Sequence, residues 1–119
     1  MNKILVIDDE KPTLDMLRLF LEVLGYKVLT AENERSGIEI FEAERPKIVM
    51  TDIKMPGKDG FSVLEKIKGI DPSATVIVVT GHGDKSFEKR AFEMGASSFL
   101  HKPLNPEQLD IALKKAKEP

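Results

Sequence analysis

The 119-residue sequence contains no cysteine and no tryptophan, and it has only two histidines, His82 and His101. Without cysteine the fold cannot be held by disulfides, and these residues supply neither a thiolate zinc site nor a histidine-rich metal cluster. The composition suits a reducing cytosol, and we therefore expect a cytoplasmic protein.

Long hydrophobic runs and an excess of positive charge are also missing. The longest apolar runs are four residues, at 4–7 and 76–79, which is too short for a membrane span or a signal peptide. The 18 basic and 20 acidic side chains give a formal net charge of −2 and are interspersed along the chain. We therefore expect neither membrane insertion nor direct binding of DNA or RNA.

What the sequence has is the composition of a folded domain. Hydrophobic residues make up 41% and charged residues 32% of the chain, as in ordinary globular proteins. A chain of this length buries roughly two thirds of its extended surface, which is enough for one hydrophobic core. We predict a single domain over residues 1–119.

Short runs rich in β-branched residues alternate with segments of helical period, which indicates βα units around a parallel sheet. We predict strands at 3–7, 27–31, 48–51, 76–80 and 98–100. The first, third and fourth of these runs are almost wholly apolar, as expected of central strands with helices on both faces. The leading topology is a doubly wound α/β sandwich.

Apolar residues at steps of three or four predict the helices between the strands. In the first helix these are Leu14, Leu17, Leu21 and Leu24, with Gly25 as the C-cap. The segment 56–60 reads as a turn before the third helix. The remaining helices are marked by Ile38 and Phe41, by Phe61, Leu64 and Ile67, by Phe87, Ala91 and Met94, and by Asn105 as N-cap with Leu109, Ala112, Leu113 and Ala116.

Polar residues follow the predicted strands where each strand ends. They are Asp8, Asp9 and Glu10 after the first strand, Asp52 after the third, Thr80 at the end of the fourth, and Lys102 past the fifth. In an open parallel sheet these ends share one edge, where ligands bind. Crowded carboxylates without nearby cysteine or histidine favour a hard cation such as Mg²⁺. With an ammonium and a hydroxyl beside it, such a site suits a phosphoryl group, and an aspartate can itself be the acceptor.

Three smaller motifs accompany these residues. Met55-Pro56-Gly57 follows Asp52, Pro103 follows Lys102, and Gly95-Ala96 precedes the last strand. With this set the chain resembles, over essentially its whole length, the receiver domain of bacterial two-component response regulators. The resemblance implies a flavodoxin-like fold with a five-stranded parallel sheet in the order 2-1-3-4-5, and a function in a phosphorelay.

The resemblance also implies the catalytic roles and the metal site. Asp52 would be the phosphoacceptor, Thr80 and Lys102 would bind the phosphoryl group, and the Lys102–Pro103 peptide would be cis. The cofactor would be Mg²⁺. Its ligands would be Asp9 and Asp52, with Asp8 acting mainly through water and with the backbone carbonyl of Lys54.

By the same resemblance, the donor would be a phosphohistidine on a sensor histidine kinase or phosphotransfer protein, or a small acyl phosphate. The domain would catalyse its own phosphorylation and dephosphorylation. Thr80 and Phe99 would then act as the switch, although Phe99 lacks the hydroxyl of the more familiar tyrosine. The switch would alter the face of the fourth helix, fifth strand and fifth helix, which could serve for dimerisation or for contact with a fused or separate output domain.

Three other interpretations stay open on the sequence alone. A Mg²⁺-dependent phosphatase with an aspartyl phosphate would have two aspartates separated by one residue, whereas Asp8 and Asp9 are adjacent. A flavin carrier would need a Ser/Thr/Gly-rich phosphate loop after the first strand. A docking module that is never phosphorylated would not need Asp52, Thr80 and Lys102. The kinase, the output, the oligomeric state and the phosphoryl lifetime are not readable from these residues.

Overall fold

A computed structural model describes residues 2–55, 58–59, 61–81 and 85–116. In this part of the chain the strands are β1 (Lys3–Ile7), β2 (Lys27–Ala31), β3 (Ile48–Thr51), β4 (Lys54–Met55), β5 (Lys58–Asp59), β6 (Thr75–Thr80) and β7 (Ser98–His101). The helices are α1 (Lys11–Val23), α2 (Glu34–Glu44), α3 (Phe61–Ile70), α4 (Lys85–Glu93) and α5 (Pro106–Ala116). The predicted bounds of β1, β2 and β3 are confirmed, and β6 and β7 are each one residue longer than predicted.

The main sheet has five parallel strands in the order β2-β1-β3-β6-β7. This is the predicted order 2-1-3-4-5, counted over the strands of this sheet. In the centre, Leu5 of β1 pairs with Val49 of β3, and Val49 pairs with Val76 of β6. The register therefore brings the carboxyl ends of β1, β3 and β6 to the same edge.

A second, two-stranded sheet was not predicted. In it β4 and β5 pair antiparallel, with Lys54 opposite Asp59 and Met55 opposite Lys58. The prediction of a turn over 56–60 is therefore wrong for Lys58 and Asp59, and its other residues lie outside the described part of the chain. A two-residue strand is too short to show the alternation of apolar and polar residues by which strands are recognised in a sequence.

Hydrophobic side chains form one cluster on each face of the sheet, because successive residues of a strand point to opposite faces. On one face Leu5, Ile7 and Val49 pack with Phe41 of α2 and Leu64 of α3. On the other face lie Ile4, Val6, Met50, Ile77 and Val79, with Leu14, Leu17 and Leu21 of α1 and Leu109, Ala112 and Leu113 of α5. The two-sided burial predicted for the central strands is confirmed. Among the described helices, none is long and apolar enough to cross a bilayer.

The predicted ends of two helices are also confirmed, with one correction. Gly25, just after the end of α1, adopts a left-handed backbone with φ of 95°, as expected of a glycine that terminates a helix. Leu24 was predicted to lie on the buried stripe of α1, but it is 45% exposed, because the helix ends at Val23 and Leu24 is already the cap residue. At the start of α5, Asn105 Oδ1 accepts a hydrogen bond from Glu107 N at 2.8 Å.

Candidate functional site

The backbone fixes four polar residues at one edge of the main sheet. Asp8 and Asp52 come directly after β1 and β3, Thr80 ends β6, and Lys102 comes directly after β7. Asp52 N donates to Ile7 O at 3.0 Å, and Lys102 N donates to Thr80 O at 2.9 Å. The sheet hydrogen bonds thus continue one residue past the strands and hold these residues in register.

The ammonium group of Lys102 is the centre of the site. Its Nζ lies 2.8 Å from Asp8 Oδ2, 2.5 Å from Glu10 Oε1 and 3.0 Å from Asp52 Oδ2. Its side chain is only 15% exposed, so water screens these contacts weakly. The contacts with the buried Asp8 and Asp52 are therefore stronger than ion pairs on an open surface.

The three acids around Lys102 differ in their surroundings. Asp8 and Asp52 are buried, whereas the side chain of Glu10 is 59% exposed. The backbone also holds the Asp8 carboxylate in place, since Asp8 Oδ1 accepts a hydrogen bond from Glu10 N at 2.9 Å. The pocket consequently has a buried floor made by Asp8 and Asp52 and an exposed rim to which Glu10 belongs.

Burial and neighbouring charges shift the pKa values of Asp8 and Lys102 in opposite directions. Burial raises the pKa of Asp8 above its usual value, although hydrogen bonds from Lys102 and from Glu10 N oppose the shift. Burial alone would lower the pKa of Lys102, but its hydrogen bonds to Asp8, Glu10 and Asp52 outweigh this and raise it. Lys102 therefore stays charged at any physiological pH and is the cation of the pocket.

The same acids could bind a metal ion. One carboxylate oxygen from each of Asp8, Glu10 and Asp52 lies within 4.8 Å of the others. These three residues, which we call the acidic triad, offer oxygen ligands only, as hard divalent cations prefer. The donor chemistry therefore fits the ion implied by the sequence.

The structure separates the residues named from the sequence into two groups. Asp8, Asp52 and Lys102 come together, and the Lys102–Pro103 peptide is cis. Asp9 is exposed and is not part of the acidic triad. Lys54 lies two residues after Asp52 in β4, but its side chain is outside the described part of the chain. The metal roles of Asp9 and Lys54 stay predictions.

The two switch residues lie on neighbouring strands. Thr80 is fully buried at the end of β6 and pairs with His101 of β7. Phe99 lies two residues before His101, and the two rings meet edge to face with their centroids 5.2 Å apart. Phe99 is partly exposed beside a groove of about 320 Å³ between α4 and α5. Their roles in a switch stay predictions.

Glu10 is the residue whose contact the sequence did not reveal. The sequence shows it among the acids after the first strand but indicates no separate role for it. Its partner Lys102 is 92 residues away in sequence, so no local pattern could have joined them. The available signal was its place at the start of α1, where glutamate is an uncommon cap residue.

Comparisons with known proteins agree with this geometry. A family model described as response regulator receiver domain matches residues 4–114. A crystal structure of a response regulator receiver domain protein from Clostridium thermocellum is 41% identical, with a TM-score of 0.91, and the match covers 98% of this chain and 94% of the other. A response regulator protein from Burkholderia pseudomallei, solved with a phosphorylated aspartic acid, a calcium ion and citrate, is 29% identical with a TM-score of 0.88, over 95% of this chain and 66% of the other.

Curated relatives include both short and long proteins. The sporulation initiation phosphotransferase F of Bacillus subtilis is 33% identical over 114 residues, which is 96% of this chain and 92% of that protein. Other relatives are longer, transcriptional regulators among them, and this chain spans 29% to 44% of their length. Such relatives carry sequence beyond the part that this chain matches.

Proposed function

We propose, on the premise that this chain belongs to the response regulator receiver domain family, that Asp52 accepts a phosphoryl group from a phosphohistidine. The observation that carries this proposal is the 3.0 Å contact between Lys102 Nζ and Asp52 Oδ2 in a nearly buried pocket. It sets a permanent cation beside a carboxylate oxygen that would carry the phosphoryl group. The Burkholderia pseudomallei relative, solved with a phosphorylated aspartic acid, supports the same chemistry.

In the transfer, an oxygen of the Asp52 carboxylate forms a bond to phosphorus while the bond from phosphorus to the donor's imidazole nitrogen breaks. The imidazole leaves with the bonding electron pair. With an acyl phosphate as donor, the bond from phosphorus to the acyl oxygen breaks instead, and the carboxylate leaves with the pair. Because charge spreads over the phosphoryl oxygens in the transition state, catalysis consists mainly of positioning and neutralisation. Lys102 would supply positive charge, and the Thr80 hydroxyl would donate a hydrogen bond.

A divalent cation would complete this neutralisation. Asp8, Asp9 and Asp52, with the carbonyl of Lys54, would hold Mg²⁺, which supplies positive charge against the phosphoryl oxygens and between the crowded carboxylates. The oxygen-only donor set of the acidic triad supports this choice. The same groups would serve when water removes the phosphoryl group, so the domain would catalyse both halves of its own cycle.

Phosphorylation would then change the face built by α4, β7 and α5. The phosphoryl group adds about −1.5 to −2 charges near Thr80, whose neighbour on β7 is His101. Phe99 borders a groove that Phe92 and Ile111 also line. An inward turn of Phe99 would reshape this groove, which we propose as the surface for dimerisation or for an output domain.

A protein donor would contact α1, which starts directly after the three acidic residues that follow β1. Met16, Leu19 and Val23 lie three or four residues apart on this helix and are exposed, Leu19 by 67% and Val23 by 86%. This exposed apolar stripe on α1 suits contact with a sensor histidine kinase or a phosphotransfer protein. With such donors, the domain would work in the cytoplasm.

The proposed acceptor is tested by intact mass spectrometry after incubation with acetyl phosphate and Mg²⁺. We expect one added phosphoryl group in the parent protein and none in Asp52→Asn, which keeps the size of the side chain but has a much weaker nucleophile. Equal labelling of the two proteins would show that another residue is the acceptor.

A further inference from the structure

The carboxylate of Glu10 contacts Lys102, although the resemblance assigns Glu10 no role. Its Oε1 lies 2.5 Å from Lys102 Nζ. Glu10 occupies the N-cap position of α1, yet within the described residues its side chain accepts no hydrogen bond from the helix. Capping therefore does not account for the position of this side chain, whereas its contact with Lys102 helps to hold it across the pocket.

Lys102 cannot keep all its contacts and also bind a phosphoryl group. An ammonium has three N–H donors, and those of Lys102 face the carboxylates of Asp8, Glu10 and Asp52. To reach a phosphoryl oxygen on Asp52, the ammonium must release at least one of them. Releasing Asp8 would take the ammonium away from a buried carboxylate, which is costly. Releasing Glu10 costs less, because its side chain is 59% exposed.

We propose that Glu10 is a positioning residue, which holds Lys102 in the unphosphorylated protein and releases it when Asp52 is phosphorylated. The proposal rests on the proposed function, since it takes Asp52 as the acceptor. Because the Glu10 carboxylate competes with the phosphoryl oxygens for the Lys102 ammonium, the Glu10–Lys102 contact slows the reaction and favours the unphosphorylated form. Exposed ion pairs of this kind are worth roughly a 1.5- to 5-fold change in a rate or equilibrium.

The test compares the rate of labelling by acetyl phosphate in the parent, Glu10→Gln and Glu10→Asp. Glutamine keeps the size of the side chain but removes its charge, whereas aspartate keeps the charge but is too short to hold Lys102 in place. The Mg²⁺ affinity of each protein is measured first by calorimetry, so that every rate is taken at saturating metal. We expect both variants to be labelled about two- to fivefold faster than the parent.

A spectroscopic measurement separates positioning from a purely structural effect. Nitrogen-15 NMR of the unphosphorylated protein reports how fast the Lys102 ammonium protons exchange with water, and we expect faster exchange in both variants. Faster labelling in Glu10→Gln alone would mean that Glu10 only repels the anionic donor, and would overturn the proposal. Unchanged labelling or unchanged ammonium exchange in both variants would also overturn it.

Two controls keep the outcomes distinct. Glu44→Gln removes the same charge and also breaks a lysine pair, in which Lys3 Nζ and Glu44 Oε1 are 2.9 Å apart, but at the opposite edge of the sheet, where β1 begins. We expect parental labelling there, and acceleration would assign the effect to overall charge. Undiminished labelling of Asp52→Asn would contradict the proposed function. Lost labelling of Asp52→Asn with parental rates in both Glu10 variants would contradict only the role of Glu10.

Discussion

Lys102 Nζ and Asp8 Oδ2 lie 2.8 Å apart and join two strands that the sheet keeps separate. Asp8 follows β1 and Lys102 follows β7, and in the sheet β3 and β6 lie between them. The lysine side chain therefore spans the intervening strand ends, and on the way it contacts Asp52 after β3. The site is one electrostatic unit, in which a change at any of these groups is felt by the others.

Removing the ammonium should remove most of the phosphorylation. Lys102→Met keeps a long side chain but loses the charge beside Asp52. A hydrogen bond to a charged group contributes about 1.5–3 kcal/mol, so we expect labelling by acetyl phosphate to slow at least about tenfold. The matched control is Lys114→Met, which breaks the exposed pair of Lys114 with Asp110 at 3.1 Å and should be labelled like the parent. Parental labelling of Lys102→Met would show that this ammonium does not contact the phosphoryl group.

Neutralising Asp8 should stabilise the folded protein at neutral pH. Burial raises the pKa of Asp8 above its ordinary value of 3.8, so the folded protein binds this proton more tightly than the unfolded chain does. The contribution of Asp8 to the free energy of unfolding therefore falls as pH rises from 3.8 through the pKa of Asp8 in the folded protein. We expect Asp8→Asn to raise the free energy of unfolding at neutral pH, and the gain to shrink in acid, where Asp8 is protonated in both states. Urea unfolding of both proteins over this pH range measures the difference in their free energies of unfolding. A difference that grows in acid would contradict the raised pKa.

The parts of the fold that were predictable are those with a strong local signal. The bounds of β1 and β3 were predicted to the residue, because their apolar runs end at charged or turn-forming residues. The stripe of α1 was predicted at Leu14, Leu17 and Leu21 and missed only Leu24, since a helical period does not show where the helix ends. The location of the site then followed from topology, because the carboxyl ends of parallel strands lie at the same edge of the sheet.

The rest depends on contacts between distant residues. The pairing of β4 with β5 involves two residues on each side, which is too few for a periodic signal. The contact of Glu10 with Lys102 spans 92 residues and is set by the length of both side chains. A sequence indicates which groups reach an edge, but not which of them the lysine will contact there.

The two faces of α1 should respond very differently to the same substitution. Leu21 is fully buried against the sheet, whereas Leu19 is 67% exposed. Leu21→Ala should lower the free energy of unfolding by about 2–5 kcal/mol, since it leaves a cavity in the core. Leu19→Ala should change it by no more than about 0.5 kcal/mol. Denaturant unfolding of both variants checks the orientation of the helix, and equal losses would mean that its buried face is assigned wrongly.

Removing divalent metal should abolish the labelling of Asp52. Oxygens of the acidic triad lie within 4.8 Å of one another, and Lys102 brings one positive charge to three carboxylates. A phosphoryl group would add about −1.5 to −2 charges, so a second cation is needed to neutralise the site. We expect EDTA to stop labelling by acetyl phosphate and added Mg²⁺ to restore it. An NMR titration of the unphosphorylated protein with Mg²⁺ should shift the amide signals of Asp8, Glu10 and Asp52 far more than that of Glu44, at the opposite edge. Labelling that persists in the chelator would show that side chains alone neutralise the phosphoryl charge.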